Sequence, residues 1–260
     1  MADILEIYKA LEELAPPELA ERWDNCGLQV GPAGGEVRRI LLSLDVTLPV
    51  AEEAAETGAE LIVSHHPLIF TPLQRIDGAT AQGKLIQYLV ANRIAVFSIH
   101  TSLDSARGGV NDALADFIGI RNAAPLKILA EGAGLGRIGE LPDIESGTAL
   151  AARLKSALGL RELRVSGDIG GGVRRVALCS GSGGDLLGAA LEQEADIFVT
   201  GEINHHAALS ALGGGLPVLE LGHWKSERIV LPPLQKILQR QFGSVAVDIS
   251  LKDSEPFHFV

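Results

Sequence analysis

Residues 61–66, which read Leu-Ile-Val-Ser-His-His, form a short apolar run that ends in two adjacent histidines. A run of this length is typical of a buried strand, and Pro67 prevents ladder pairing directly after it. In an α/β sheet, ligands bind at the carboxyl ends of the strands. The run therefore predicts a buried strand that delivers His65 and His66 to a binding edge.

Two later segments have the same form. A predicted strand over residues 94–99 leads to His100 and Asp104. A shorter apolar strand precedes His223 and Glu227, which share one helix face because they are four positions apart. Three strand ends thus present imidazoles and carboxylates, and we expect them to converge on a metal site.

Predicted strands and helices alternate along most of the chain, which is the pattern of a parallel sheet and of the α/β class. The pattern weakens over residues 122–140, where short apolar pieces and glycines predict a domain boundary. The last predicted strand needs a sheet to join, and we expect it to return to the first domain. The predicted domains are a discontinuous metal-binding domain, 1–122 plus 223–260, and a second α/β domain, 123–222.

An internal repeat supports two related domains. Residues 38–40 match residues 174–176, and residues 59–64 match residues 195–200, at the same offset of 136 positions. Two ungapped matches at one offset predict that each domain contains a related strand-helix-strand unit.

Composition excludes several classes of function. The 260-residue chain has a formal net charge of −11, which argues against a partner bound through a nucleic-acid backbone. No apolar stretch reaches the length of a membrane span, and the first residues do not resemble a signal peptide. Cys26 and Cys179 form neither a metal-type spacing nor a disulfide framework, so the expected location is the reducing cytoplasm.

The candidate ligands are all nitrogen and oxygen donors: His65, His66, Asp104, His223 and Glu227, with His100 as a further candidate. They are too many for one tetrahedral zinc ion and suit two divalent ions, of which Zn, Fe, Mn and Co all fit. Such a pair activates water in hydrolytic sites. Simpler readings remain for each cluster, because a buried histidine is often structural and Asp104 could cap a helix.

Five segments together resemble the NIF-three-like dinuclear metal-centre family, whose bacterial members are commonly labelled GTP cyclohydrolase I type 2 homologues. The segments are, in the family's order, Trp-Asp-Asn-Cys-Gly-Leu-Gln-Val-Gly at 23–31, Ser-His-His-Pro at 64–67, His-Thr-Ser-Leu-Asp at 100–104, Thr-Gly-Glu at 200–202 and Gly-His through Glu at 222–227. The resemblance runs over nearly the whole chain.

The resemblance implies a two-domain subunit with a discontinuous first domain, assembled as a toroidal or box-like homohexamer with metal pairs facing an inner cavity. It implies that His65, His66, Asp104, His223 and Glu227 are the metal ligands, with Glu227 bridging. It also places His100 and Glu202 beside the metals, as the candidate catalytic residues. This sequence departs from the family at two points. Trp224 stands where the family often has a smaller or different polar residue. The short stretch over residues 122–140 leaves no room for the middle domain that longer members carry.

Two functions follow from these features. The first is a metal-dependent hydrolase that acts on a nucleotide or another phosphorylated small molecule, with His100 or Glu202 moving a proton. The alternative is a non-enzymatic assembly that stores metal or docks a partner, and it needs the same ligands.

Weaker signals are open to two interpretations. Residues 181–184, Gly-Ser-Gly-Gly, could hold a phosphate or form only a tight turn. His205 and His206 suit a surface or cap role better than a ligand role. Asn25 and Asp45 could line the cleft or serve as turn residues.

Overall fold

The structure is a computed structural model that describes residues 1–32 and 34–258. It divides into two compact units, and each is described by itself. Unit 1 consists of Met1–Leu103 and Leu231–Ser254, and unit 2 consists of Asp104–Val230 with the described tail from Glu255. The chain leaves unit 1, forms unit 2 and returns, so unit 1 is discontinuous.

Unit 1 contains a mixed sheet and a small antiparallel pair of strands. Its elements are β1 (Ala2–Asp3), α1 (Ile4–Leu14), β2 (Gly27–Val30), β3 (Glu36–Val37), β4 (Arg39–Ser43), α2 (Leu48–Thr57), β5 (Leu61–Ser64), α3 (Ala81–Ala91), β6 (Ala95–Ser98), α4 (Thr101–Ser105, which continues into unit 2), and, after unit 2, α10 (Leu231–Gln241) and β13 (Ala246–Ile249).

The main sheet of unit 1 has the order β13-β4-β5-β6-β2, in which the first four strands are parallel and β2 is antiparallel to β6. Helices α2 and α3 pack on one face, where Val50 and Leu89 join a core with Ile62 of β5. All four residues of β5 are buried, as expected for a strand covered on both faces.

Unit 2 contains a longer sheet. Its elements are α5 (Val110–Ile118), β7 (Arg121–Ala130), β8 (Ala133–Ser146), α6 (Gly147–Ala157), β9 (Arg164–Ser166), β10 (Gly172–Ser182), α7 (Leu187–Glu192), β11 (Ile197–Glu202), α8 (His205–Gly213), β12 (Val218–Glu220) and α9 (His223–Arg228).

The sheet of unit 2 has the order β7-β8-β10-β11-β12-β9, and β10, β11 and β12 are parallel. Successive residues of β10 point to opposite faces. Val176 and Leu178 join the core with α5 and α6, whereas Ala177 and Cys179 join a second core with α7 and α8. Both units therefore place strands between helices, and the α/β prediction is confirmed.

The predicted repeat is visible in matching hydrogen bonds. In unit 1, the Glu60 carboxylate accepts from the backbone N–H groups of Arg38 and Arg39, both at 3.0 Å. In unit 2, the equivalent partners are the Asp196 carboxylate and the N–H groups of residues 174 and 175, at 2.8 and 2.7 Å. The two repeated strand-helix-strand segments, one in each unit and 136 residues apart, are thus built alike.

The unit boundaries differ from the predicted 1–122 plus 223–260 and 123–222. Helix α5 belongs to unit 2 because Leu114 and Ile118 pack in a core with Val176 of β10. Helix α9 also belongs there, since it packs on β10 and β11 and Ile229 borders the same core. The chain returns to unit 1 only from Leu231, and β13 then pairs with β4 as expected.

The glycine-rich stretch at 122–140 is the β7-β8 hairpin rather than a link. A Cβ atom at Gly134 would lie 2.1 Å from the Lys127 carbonyl oxygen. A glycine at this point allows the close approach of two backbones. The buried Arg137 guanidinium fixes the hairpin, because it donates to the Gly134 and Gly136 carbonyls at 2.7 Å.

In the described part of the chain, no helix is both long enough and apolar enough to cross a membrane.

Candidate metal centre

The sheet register of unit 1 aligns polar residues at the carboxyl ends of three neighbouring strands. The serines that end β4, β5 and β6 are in register. Two positions beyond them come Asp45, His66 and His100, respectively. Because these strands are parallel, the side chains just beyond their ends meet at one edge of the sheet.

Three imidazoles cluster at this edge. The ring centroids of His65 and His66 are 4.9 Å apart, and those of His65 and His100 and of His66 and His100 are 5.2 and 5.4 Å apart. One ring nitrogen from each lies within 4.8 Å of the others, a spacing at which the three could hold a metal ion.

Protein oxygens fix the orientation of all three rings. The Nδ1 atoms bond as follows: His65 to the Ile99 carbonyl at 3.1 Å, His66 to Asp45 Oδ1 at 2.9 Å and His100 to Asp24 Oδ1 at 2.9 Å. A carbonyl or carboxylate oxygen accepts, so each Nδ1 carries the proton. The tautomer then puts a lone pair on Nε2, the arrangement found in metal-ligating histidines with an oriented outer partner.

Asp24 is the acceptor for His100, and its side chain is fully buried. Burial alone would raise the pKa of Asp24, but hydrogen bonds from His100 and Thr101 outweigh this effect and hold the pKa below its usual range. The backbone N–H of Thr101 donates to the same carboxylate at 3.0 Å, and Cys26 Sγ donates at 3.1 Å. Asp24 therefore stays ionised and holds His100 in one tautomer.

Unit 2 contributes a second group of candidate ligands. His223 begins α9, and Glu227 follows one turn later on the same face. His223 Nε2 and Glu227 Oε1 are 3.2 Å apart. Two bonds of about 2.1 Å at a tetrahedral angle separate their donor atoms by about 3.4 Å, so one ion could bind both atoms.

Glu202, at the end of β11, bonds to the other nitrogen of His223, with 3.1 Å between Oε1 and Nδ1. The predicted acid/base residue is thus placed as an orienting partner of His223, equivalent to Asp45 and Asp24 in unit 1. This arrangement leaves Nε2 of His223 directed at Glu227.

The missing side chain of Gly181 makes room for Glu227. A Cβ atom at position 181 would lie 2.1 Å from Glu227 Oε1 and 3.4 Å from His223 Nε2. Gly181 also has a φ of +59°, in the left-handed region that favours glycine. Its N–H donates to Ser226 Oγ at 2.9 Å, and that hydroxyl donates to the His223 carbonyl at 2.8 Å. Ser226 therefore fastens α9 to the end of β10.

Asp104 lies in α4, on the unit 2 side of the boundary. Burial raises the pKa of the Cys179 thiol, and the charges of Asp104 and Glu227 raise it further. Both carboxylates therefore act on the same buried thiol of unit 2. The five predicted ligands fall into two groups, with His65 and His66 in unit 1 and Asp104, His223 and Glu227 in unit 2.

A cavity of about 600 Å³ opens in unit 2 beside Glu202 and His223. It lies at the carboxyl ends of β11 and β12 and falls within the size range of small-molecule sites. Arg161 and Lys225 line it, and among the described residues neither forms an ion pair. By contrast, Arg164 pairs with the buried Glu220 at 3.2 Å.

Comparison with known proteins identifies the family. The model of the Duf34/NIF3 family (NGG1p interacting factor 3) matches residues 2–256. The chain belongs to the Duf34/NIF3 family. A "GTP cyclohydrolase 1 type 2 homolog" from Clostridium perfringens is 36% identical over 98% of both chains. "NIF3-like protein 1" from Drosophila melanogaster is 35% identical over 96% of this chain and 87% of its own length.

A Duf34/NIF3 structure has the same fold over the full chain. The crystal structure of a Bacillus cereus protein related to NIF3 superposes with a TM-score of 0.93 at 27% identity, covering 100% of this chain and 99% of that one. The family predicted from the five motifs is thereby confirmed, and so is its α/β fold.

The motifs of this Duf34/NIF3 member did not reveal every residue that shapes the clusters. Asp24 had no predicted role, although it follows the Trp23 that opens the first motif. Asp45 and Asn25 each had two open interpretations. Asp45 bonds to the candidate ligand His66, whereas Asn25 bonds to Gln29 and to the Ile69 carbonyl.

Three further segments from the sequence analysis have the following local structure. His205 and His206 are exposed in the first turn of α8, in keeping with a surface role. Residues 181–184 end β10 and enter a turn, and a six-residue helix follows. Trp224 contacts its neighbours Lys225 and Arg228, whose cations lie 5.3 and 5.1 Å from its ring.

Proposed function

We propose that this protein is a hydrolase that uses two divalent metal ions and acts on a nucleotide or another phosphorylated small molecule. The observation that carries the proposal is the cavity beside Glu202 and His223. A site that only stores metal needs no adjoining space for an organic molecule, whereas a hydrolase does. Arg161 and Lys225 in the cavity wall, which form no ion pair with another described residue, suit a phosphate group.

The residues present fit the metals. The imidazoles of His65 and His66 have the tautomer that metal binding needs, and Gly181 leaves space for the Glu227 carboxylate beside His223. We propose that five residues together hold one pair of ions, with Glu227 bridging. They are His65, His66, Asp104, His223 and Glu227. When bound, such a pair would supply Lewis acidity and a nucleophilic water at neutral pH.

The roles of the remaining residues follow from their hydrogen bonds. His100, held by Asp24, accepts a proton at Nε2 during the reaction. Glu202 keeps the His223 ring in place through Nδ1. Arg161 and Lys225 bind the phosphate and orient the substrate.

The test is a substrate screen on protein reconstituted separately with Zn²⁺, Mn²⁺, Fe²⁺ and Co²⁺. GTP comes first, because relatives are called GTP cyclohydrolase 1 type 2 homologs, followed by other nucleotides and phosphoesters. We expect about two ions per chain and hydrolysis of at least one compound. Glu227→Ala should lose most of the metal and the activity.

The matched control is Glu12→Ala, which removes an exposed carboxylate from α1. It should keep both the metal and the activity. Full metal content without hydrolysis of any compound would favour the storage or docking role. Full metal content in Glu227→Ala would contradict the proposed ligand set.

A further inference from the structure

Two large aromatic side chains of unit 1 are exposed beside the imidazole cluster. Trp23 is 59% exposed and Phe70 is 55% exposed. Their ring centroids are 5.7 Å apart, and those of Trp23 and Phe70 lie 5.9 and 6.5 Å from that of His100. Both rings meet the imidazole roughly edge to face.

The loops that carry these rings are fastened to each other. Asn25 Nδ2 donates to the Ile69 carbonyl at 2.6 Å, and the Ile69 N–H donates to Gln29 Oε1 at 3.2 Å. The two amide side chains also bond to each other at 3.2 Å. Trp23 precedes the buried Asp24, and Phe70 follows Ile69, so both aromatic residues are adjacent to fixed positions.

Exposed aromatic rings that are held in place form a prearranged surface for a flat ligand. Folding gains little from leaving two such rings in solvent, and these two touch each other and a candidate catalytic histidine. A planar ring is the ligand group that gains most from such a surface, because stacking uses the whole face of both partners.

We infer that Trp23 and Phe70 form a stacking platform for the planar heteroaromatic ring of the substrate, while its reacting group lies at the imidazoles. The inference rests on the proposed function and narrows it to ring-bearing substrates such as nucleotides. Trp23 and Phe70 are then substrate-positioning residues.

The experiment uses the fluorescence of Trp23. The chain has two tryptophans, so Trp224→Phe leaves Trp23 as the single emitter. Metal-free protein with this change is titrated with GMP, AMP and UMP, and with ribose 5-phosphate as the ring-free probe. Free tryptophan in the same solutions corrects for absorption by the nucleotides.

We expect at least one nucleotide to quench Trp23 emission saturably, whereas ribose 5-phosphate does not. Adding Phe70→Leu should weaken nucleotide binding about 5-fold or more. The matched control Ile76→Ala removes another exposed apolar side chain, 54% exposed, from the same loop region and should leave affinity unchanged.

Three results would overturn the inference: no saturable quenching by any nucleotide, equal quenching by ribose 5-phosphate, or unchanged affinity in Phe70→Leu. A smaller particle in light scattering for Phe70→Leu, with unchanged nucleotide affinity, would assign the rings to contacts between copies of the chain instead.

The readout is independent of the proposed hydrolysis. Quenching without hydrolysis in the reconstituted protein keeps the platform and rejects the proposed function. Hydrolysis without quenching keeps the proposed function and rejects the stacking platform. Metal content of Phe70→Leu, measured by elemental analysis, should equal that of the parent, because Phe70 is not a ligand.

Discussion

At the scale of single residues, the side chain that is missing at position 181 shapes the candidate centre. Gly181→Ala should lower the metal content, because its Cβ would occupy the space of Glu227 Oε1, and Glu227 is itself buried. The left-handed backbone at +59° adds a cost of about 1–2 kcal/mol for alanine. Elemental analysis and urea unfolding measure the two effects.

Gly188→Ala is the matched control, since a Cβ at Gly188 in α7 has no atom of the described residues within 4 Å. It should keep the metal and should not destabilise the protein. A Gly181→Ala protein with the parent's metal content would contradict the assigned role of Gly181.

Tyr8 gives a prediction about pH. Its ring stacks on Phe97 with centroids 5.0 Å apart, and burial raises its pKa to about 12. In the unfolded chain tyrosine ionises near pH 10. Between these values the unfolded state releases a proton that the native state keeps, so native stability falls as the pH rises.

Tyr8→Phe should therefore lose less stability than the parent between about pH 9 and pH 11. Urea unfolding of both proteins at the two pH values measures the difference. Equal losses in parent and variant would show that Tyr8 does not contribute to the alkaline decline.

At the scale of elements, the repeat uses the same positions for different chemistry. Asp45 and His66 of unit 1 correspond, at the offset of 136, to Gly181 and Glu202 of unit 2. Unit 1 thus places an acceptor beside an imidazole, whereas unit 2 places a gap and a carboxylate beside the helix that carries His223. In each unit, the carboxyl edge of its own sheet thus carries a group of candidate metal ligands.

Helix α9 is placed by Ser226, which is fully buried. Ser226→Ala should lower the free energy of unfolding by about 1–3 kcal/mol, because the Gly181 N–H loses its acceptor in a buried position. It should also weaken metal binding by loosening the position of His223. Ser210→Ala, at an exposed position of α8, is the control and should change neither quantity. If Ser226→Ala keeps the metal affinity of the parent, the anchoring of α9 by Ser226 does not contribute to metal binding.

At the scale of the whole molecule, we propose a homohexamer, on the basis of the motif resemblance. Light scattering at micromolar concentration should give a mass close to six chains. A monomer would contradict the proposed assembly.

A crystal structure with metal should place the Glu227 carboxylate within about 6 Å of the His65 and His66 imidazoles, the reach of two bonds to an ion.

The amino-acid sequence by itself determined the elements and the chemistry at their ends. Apolar runs such as residues 61–63 define buried strands, and the polar residues that follow each run are adjacent in the chain. The spacing of His223 and Glu227 sets a shared helix face, and the repeat shows directly as matched letters. These features are local, so the pattern of residues was sufficient to predict them.

Only the tertiary structure decided which distant residues meet. Asp24 holds His100 across 76 positions, and Asp45 holds His66 across 21, because sheet register aligns separate strand ends. The glycines of 122–140 looked like a link, but they permit the close approach of β7 and β8. Helix α9 joined unit 2 because its packing on β10 and β11 depends on side chains far away in the chain, which no local pattern encodes.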